Sequence, residues 1–183
     1  MSRAFHLGGA LALAFTALPT QAEVKSADEA GFVTGGTQDI DASPAAVWSS
    51  LVKPAQWWDS AHTWSGKAAN LSLDPRAGGC FCERLPGGGS TEHMRVIRAD
   101  PGTQMILSGA LGPLQTEPAS GVLIIKLDAT EGGSTLTWRY AASGLRGMKG
   151  TAIAGPVNTV MSLQFASLAR VAASGGKAAP RRR

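Results

Sequence analysis

The chain has 183 residues, a hydrophobic fraction of 44% and a formal net charge of +4 at pH 7. This length fits one domain of ordinary size with a hydrophobic core of its own. Part of the positive charge lies in Lys177 and at 181–183, and the rest is scattered, whereas nucleic-acid binding requires a basic face. We therefore expect no nucleic-acid partner.

The first 22 residues have the pattern of a secretory signal peptide. Arg3 is positively charged, residues 7–18 are almost all apolar, and Thr20-Gln21-Ala22 is a small-x-small cleavage site. The apolar run is shorter than the roughly 20 residues that a membrane-crossing helix needs. We predict cleavage after Ala22, a periplasmic or secreted location and no stable membrane span afterwards, with a retained anchor as the alternative.

The mature chain is predicted to begin with a flexible segment over residues 23–31 and a strand over 32–42. A helix over 45–53 follows, because Ser43 is a preferred N-cap residue and Pro44 suits the first helical position. These elements open the folded domain.

Short β-type runs separated by Gly, Pro, Asn and Asp fill the middle of the chain. This texture is typical of an antiparallel meander. Before it, Pro54 is expected to end the first helix and to open a second short helix through Trp57, Trp58 and Asp59. The turn signals place six strands near 70–74, 79–85, 91–99, 103–109, 119–129 and 134–142.

The last element is a long helix predicted over 151–174, which Gly175 and Gly176 close. Pro156 is tolerable only near its first turn. Residues 175–183 are expected to form a disordered basic tail. The helix carries an apolar stripe made of Val157, Val160, Met161, Phe165, Leu168 and Ala172.

Three motifs carry a resemblance to a known family. Residues 40–48 (IDASPAAVW) read as a strand-to-helix opening, 74–81 (DPRAGGCF) match the pattern D-x-R-x-G-G-x-F, and 136–140 (LTWRY) read as a last strand. With the order of elements, they resemble the START-like superfamily, also called SRPBCC or helix-grip. The branch of Hsp90-ATPase activator homologues and polyketide cyclase-like proteins looks closest, although a signal peptide argues against a chaperone partner, which is cytosolic.

The resemblance implies an α+β helix-grip fold over residues 32–174. A curved antiparallel sheet of about seven strands, the first of them before two short helices, would wrap around the long C-terminal helix. The superfamily has an apolar cavity between sheet and helix, so the implied partner is a small apolar or aromatic ligand, with no cofactor. The alternatives are a cyclase- or hydrolase-type enzyme, or a protein-interaction module whose cavity is collapsed; the oligomeric state stays open.

Aromatic residues are the first candidates for ligand contact. Trp57, Trp58 and Trp64 cluster before the sheet and either roof a cavity or fill the core. Strand alternation turns Trp138 and Tyr140 inward, and the buried hydroxyl of Tyr140 needs a partner, either protein or ligand. The candidate ligand-binding residues are Trp57, Trp58, Trp64, Phe81, Arg95, Trp138, Tyr140, Met161 and Phe165.

An ionisable group is predicted on the hairpin that loop 86–90 closes. Symmetric closure pairs Glu83 with His93 and puts Phe81 and Arg95 on the same face. Facing the cavity, these residues suit acid/base chemistry, and facing solvent they form a cross-strand charge ladder. A one-residue register shift would regroup them. The candidate catalytic residues are Glu83, His93 and Tyr140.

Cys80 and Cys82 are two residues apart on a predicted strand. Their separation is near the upper limit for a disulfide, so a bond between them requires a kinked strand. Three states stay open, namely a buried reduced pair, a strained disulfide, and metal ligands together with a nearby His or Glu. No metal site is assigned, because His62 and His93 are isolated in the sequence.

Overall fold

The structure is a computed structural model that describes residues 22–175. Residues 1–21 of the predicted signal peptide (1–22) and residues 176–183 of the predicted tail (175–183) lie outside the described residues. Within the described range, none of the helices combines the length and the apolar character that crossing a membrane requires.

The domain consists of one antiparallel sheet and two α-helices. The helices are α1 (Pro44–Leu51) and α2 (Gly150–Ala173). The strands are β1 (Glu23–Ala27), β2 (Gly31–Ile40), β3 (Leu71–Leu73), β4 (Cys80–Arg84), β5 (Ser90–Asp100), β6 (Gln104–Ser108), β7 (Ser120–Thr130) and β8 (Gly133–Ser143). They lie in the order β1-β2-β8-β7-β6-β5-β4-β3, and the sheet curves around α2. The predicted α+β helix-grip fold is confirmed, with eight strands instead of about seven.

The additional strand is β1, which falls in the segment predicted to be flexible. That prediction is wrong for Glu23–Ala27, because these residues pair antiparallel with β2, for example Val24 with Thr34. All five side chains of β1 are exposed. The strand is therefore held by backbone hydrogen bonds to the edge of β2, and no alternation of apolar residues marks it in the sequence.

The first helix begins where its cap residues predict. The Ser43 hydroxyl accepts a hydrogen bond from the Ala46 N–H at 3.3 Å, and α1 starts at Pro44. The second short helix was expected through Trp57–Asp59, and this is wrong. Two 3-10 turns, Pro54–Gln56 and Ser60–His62, flank the tryptophans instead, because the Asp59 carboxylate caps the second turn through the Ala61 N–H at 3.0 Å.

Helix α2 starts against the beginning of β2. A Cβ on Gly150 would lie 2.1 Å from the Gly31 carbonyl oxygen, so only glycine allows this approach. Pro156 lies in the second turn, one turn later than expected. The carbonyl that loses its helical donor belongs to Ala152, an exposed residue where water can replace the missing partner.

An aromatic chain fills the middle of the space between sheet and helix. Phe165 of α2 stacks on Trp138 of β8, with ring centroids 5.3 Å apart, and on Trp57 at 6.3 Å. From Trp57 the contacts continue through Trp58 to Phe81 of β4. The centre of the grip is thus packed by protein side chains, and open space is left toward the start of α2.

Candidate ligand-binding site

A cavity of about 280 Å³ opens beside the first half of α2. Its other walls are the segment after β6 and the loop that carries Trp58 and Trp64. Most of its lining is apolar, and rim residues such as Trp64 and Pro113 reach solvent. The lining residues are Trp58, Ala61, His62, Thr63, Trp64, His93, Leu111, Gly112, Pro113, Ile153, Pro156, Val157, Val160 and Met161.

The two cavity tryptophans have their polar edges bound to protein. The Trp58 Nε1–H donates to the His62 carbonyl oxygen at 2.9 Å. The Trp64 Nε1–H donates to Gln115 Oε1 at 2.8 Å, and Gln115 Nε2 donates to the Glu92 carbonyl oxygen at 2.9 Å. With both indole N–H groups engaged, what these side chains offer the cavity is apolar ring surface.

Tyr140 binds the backbone of Leu111, which lines the cavity. Its hydroxyl accepts a hydrogen bond from the Leu111 N–H at 3.2 Å and donates to the Gly109 carbonyl oxygen at 3.4 Å. Burial raises the pKa of this hydroxyl to about 12, although the bond from Leu111 acts the other way. Tyr140 therefore has protein partners and does not line the cavity.

Glu83 and His93 meet inside the fold, by a different register from the one predicted. Glu83 pairs across the hairpin with Thr91, and the ladder is irregular between β4 and β5, so that His93 and Met94 are both buried. The His93 Nε2 and Glu83 Oε2 atoms are 2.9 Å apart. The side chains therefore meet although the residues are not cross-strand partners, and they face the interior.

Glu83 is a fully buried carboxylate with several donors. It accepts hydrogen bonds from the backbone N–H groups of Trp64 and Ser65, in addition to that from His93. Burial acts to raise the pKa of the carboxyl, but hydrogen bonds from Ser65, Trp64 and His93 outweigh it and lower the pKa below its ordinary value. Glu83 is thus an anion at neutral pH, and its hydrogen bonds connect β4 to the backbone of Trp64 and Ser65.

Arg95 does not join this pair, contrary to the prediction. It is exposed on the outer face, where it contacts the Glu92 carboxylate and donates to the Gly78 carbonyl oxygen at 2.9 Å. The irregular register explains the difference: two successive buried residues, His93 and Met94, shift the alternation, so Arg95 points away from His93.

Cys80 and Cys82 form a disulfide, which resolves the three open alternatives. Their Cα atoms are 5.3 Å apart, and the ladder with β5 shifts between Phe81 and Cys82, which provides the kink that this bond requires. Glu92 lies beside the two sulfurs. Because both sulfurs are in the disulfide, neither is a thiolate ligand for a metal.

Comparison with known protein families identifies the family of this chain. Residues 34–173 match the family model described as polyketide cyclase / dehydrase and lipid transport. The chain belongs to this family. The predicted START-like superfamily is confirmed with it, while the position beside the Hsp90-ATPase activators stays a prediction. A comparison with curated proteins finds no match.

Solved structures with this polyketide cyclase-like fold are similar at low sequence identity. A protein from Rhizobium leguminosarum is 18% identical, with a TM-score of 0.59 over 85% of this chain and 98% of its own. CalU16 from Micromonospora echinospora is 16% identical, with a TM-score of 0.55 and coverages of 87% and 94%. The di-domain ARO/CYC StfQ from the steffimycin biosynthetic pathway is 13% identical, with a TM-score of 0.53 and coverages of 81% and 51%.

The cavity of this family member contains some of the predicted site residues and not others. Trp58, Trp64 and Met161 line it, as does the catalytic candidate His93. The remaining ligand-binding candidates are not in the lining, namely Trp57, Phe81, Arg95, Trp138, Tyr140 and Phe165.

Of the cavity residues on α2, the sequence predicted Met161 as a ligand contact and missed Ile153, Pro156, Val157 and Val160. Val157 and Val160 belong to the predicted apolar stripe, and their position in the first half of α2 is the available signal. The segment Gly112–Thr116, with Gly112 at a φ of 56°, was assigned to no site. Its composition does not indicate that it lines the cavity. It does so because the fold brings it close to α2, which lies in a distant part of the chain.

Proposed function

We propose that this domain binds a small apolar or aromatic molecule in the cavity beside the first half of α2. The observation that carries the proposal is an open space walled by tryptophan ring faces and aliphatic side chains in a member of a ligand-binding family. The volume of about 280 Å³ lies just below the roughly 300 Å³ at which typical ligand sites start. A ligand of one or two rings, or a short chain, suits this space.

The packing of the core favours binding over a collapsed interaction module. The aromatic chain from Trp138 to Phe81 already fills the centre of the grip, yet the cavity next to it remains. Apolar walls that face open space lose the contacts they would have in a packed core. A ligand that covers Ile153, Val157 and Val160 restores these contacts and buries its own apolar surface.

Binding can be tested with two-ring aromatic probes and a blocked cavity. In Val160→Phe the ring fills the space beside α2, so the affinity for naphthalene, measured by tryptophan fluorescence, should fall at least tenfold. Ile97→Phe adds the same ring at an exposed position outside the cavity and should leave the affinity unchanged. Equal affinities in both variants would contradict the proposed site.

A base-catalysed hydrolysis is the second candidate, favoured by the Glu83–His93 pair at the cavity wall. His93 would take a proton from water as the water oxygen attacks an ester carbonyl, and the alcohol would leave with that proton. We expect 2-naphthyl acetate to be hydrolysed faster by the wild type than by His93→Leu. Identical rates, at unchanged naphthalene affinity, would remove this candidate.

Export of the domain is a further part of the proposal. The signal-like first 22 residues support it, and so does the Cys80–Cys82 disulfide, because such bonds persist mainly in oxidising compartments. Cell fractionation followed by N-terminal sequencing should find the protein outside the cytoplasm and starting at Glu23. A cytoplasmic protein that keeps its N-terminus would contradict export.

A further inference from the structure

We infer that the cavity selects apolar ligands that carry one neutral hydroxyl group. This hydroxyl donates a hydrogen bond to His93 Nδ1. The inference rests on the proposed function and specifies the ligand of the same site. It follows from how the Glu83–His93 pair is held.

The first step concerns which nitrogen of His93 carries the proton. The Glu83 carboxylate already accepts bonds from Trp64 and Ser65, and as an anion it can only accept. The contact of 2.9 Å to His93 Nε2 therefore requires a proton on Nε2. In the neutral imidazole this leaves Nδ1 as a lone-pair acceptor.

The second step concerns where Nδ1 points. A side-chain nitrogen or oxygen without a hydrogen bond is either fully enclosed by protein or in contact with open space. Among the described residues, the one fully enclosed atom of this kind is Gln164 Nε2, and not His93 Nδ1. Nδ1 of His93 also has no partner in the described part of the chain, so it reaches open space. His93 is only 7% exposed, and the open space it borders is the cavity.

The third step concerns what else in the cavity could bind a polar group. The indole N–H groups of Trp58 and Trp64 are engaged, and the Thr63 hydroxyl donates to the Ser60 carbonyl oxygen at 2.8 Å. His62 is exposed at the rim. His93 Nδ1 is thus a buried acceptor in surroundings that offer a ligand mainly apolar contacts.

The charge of the pair decides which donor fits. A hydroxyl donates to Nδ1 without adding charge. A carboxylate ligand would bind Nδ1 only if the imidazole took up a second proton from solution, and its own carboxylate would lose water on entering a site that already holds the buried Glu83 carboxylate. We therefore expect an alcohol or phenol to bind better than the corresponding acid anion.

Three matched probes test the inference by calorimetry with the full mature chain. 2-Naphthol has the donor, 2-methoxynaphthalene blocks it with a methyl group, and 2-naphthoate carries an anion. One hydrogen bond of ordinary net strength corresponds to about a fivefold to tenfold preference for 2-naphthol. In His93→Leu this preference should fall to about one, while naphthalene still binds.

His93→Gln serves as the conservative variant, because its amide can donate to Glu83 and offer its oxygen to the cavity. It should restore part of the preference, and Ile97→Phe, at an exposed position outside the cavity, should leave it intact. In ¹⁵N-histidine-labelled wild type, 2-naphthol should shift the Nδ1 resonance of His93, and 2-methoxynaphthalene should not.

The possible outcomes distinguish a failure of the hydroxyl preference from a failure of the binding site itself. If naphthalene binds but the three probes show no preference, or if the preference survives in His93→Leu, the inference is wrong and the binding site stands. If 2-naphthoate binds most tightly, the charge argument is wrong and the inference falls with it. If neither naphthalene nor any probe binds, the proposed function fails as well.

Discussion

Replacing Glu83 by glutamine should destabilise the protein in a pH-dependent way. The variant keeps the size of the side chain but replaces one acceptor oxygen with an NH₂ group, which must then face donors from Trp64, Ser65 or His93. Hydrogen bonds to charged groups contribute about 1.5–3 kcal/mol each, and one such bond is lost with some local rearrangement. We expect a loss of about 2–3 kcal/mol in the free energy of unfolding at pH 7.

The pH dependence follows from the lowered pKa of Glu83. In the unfolded chain the carboxyl titrates near its ordinary value of 4.5, and in the fold its pKa lies below this value. The stabilising contribution is therefore complete above pH 4.5 and is lost as the pH falls through the folded pKa. The stability gap between wild type and Glu83→Gln should be full at pH 7 and should narrow on acidification toward pH 3.

Urea denaturation at pH 7 and pH 3 measures this gap. Glu92→Gln is the matched control, because Glu92 is exposed on the neighbouring strand and its ion pair with Arg95 is a surface pair, worth about 1 kcal/mol or less. Equal stability of wild type and Glu83→Gln at pH 7 would refute the reasoning. A gap that stays the same at both pH values would refute it too.

Three further predictions test the packing around the site. Tyr140 is the single tyrosine of the chain, so its alkaline absorbance titration should have a midpoint at about 12, and a midpoint near 10 would show that its hydroxyl is not buried. Phe165→Ala removes the ring between Trp57 and Trp138 and should lower the free energy of unfolding by about 3–5 kcal/mol in urea; a loss under 1 kcal/mol would contradict the aromatic chain. Ser43→Ala should cost about 1 kcal/mol through loss of the α1 cap, which the exposed Ser49→Ala should not reproduce.

Local signals in the sequence predicted most of the fold. The six strands from 70 to 142 and the start of α1 follow from turn residues and from the Ser43-Pro44 cap, all of which act within a few residues. β1 could not be predicted in this way. Its side chains are all exposed, and only the backbone of β2, which follows it in the chain, makes it a strand.

The site was harder to predict because it depends on register and on contacts between distant segments. The sequence placed Glu83 and His93 together, as the structure does, but their contact depends on an irregular ladder that no local pattern indicates. The same irregularity sends Arg95 to the outer face. The tryptophans divide by position, since Trp57 packs in the core while Trp64 lies at the rim, and their spacing alone does not distinguish the two.

Intermolecular NOE measurement is the most direct test of the binding cavity. With methyl-labelled protein and 2-naphthol, the account predicts NOEs from the ligand ring to the methyl groups of Ile153, Val157 and Val160 on α2. The same ligand should give no NOE to Ile97, which is exposed outside the cavity. Ligand NOEs confined to Ile97 or to other surface methyl groups, with none to the three α2 residues, would contradict it.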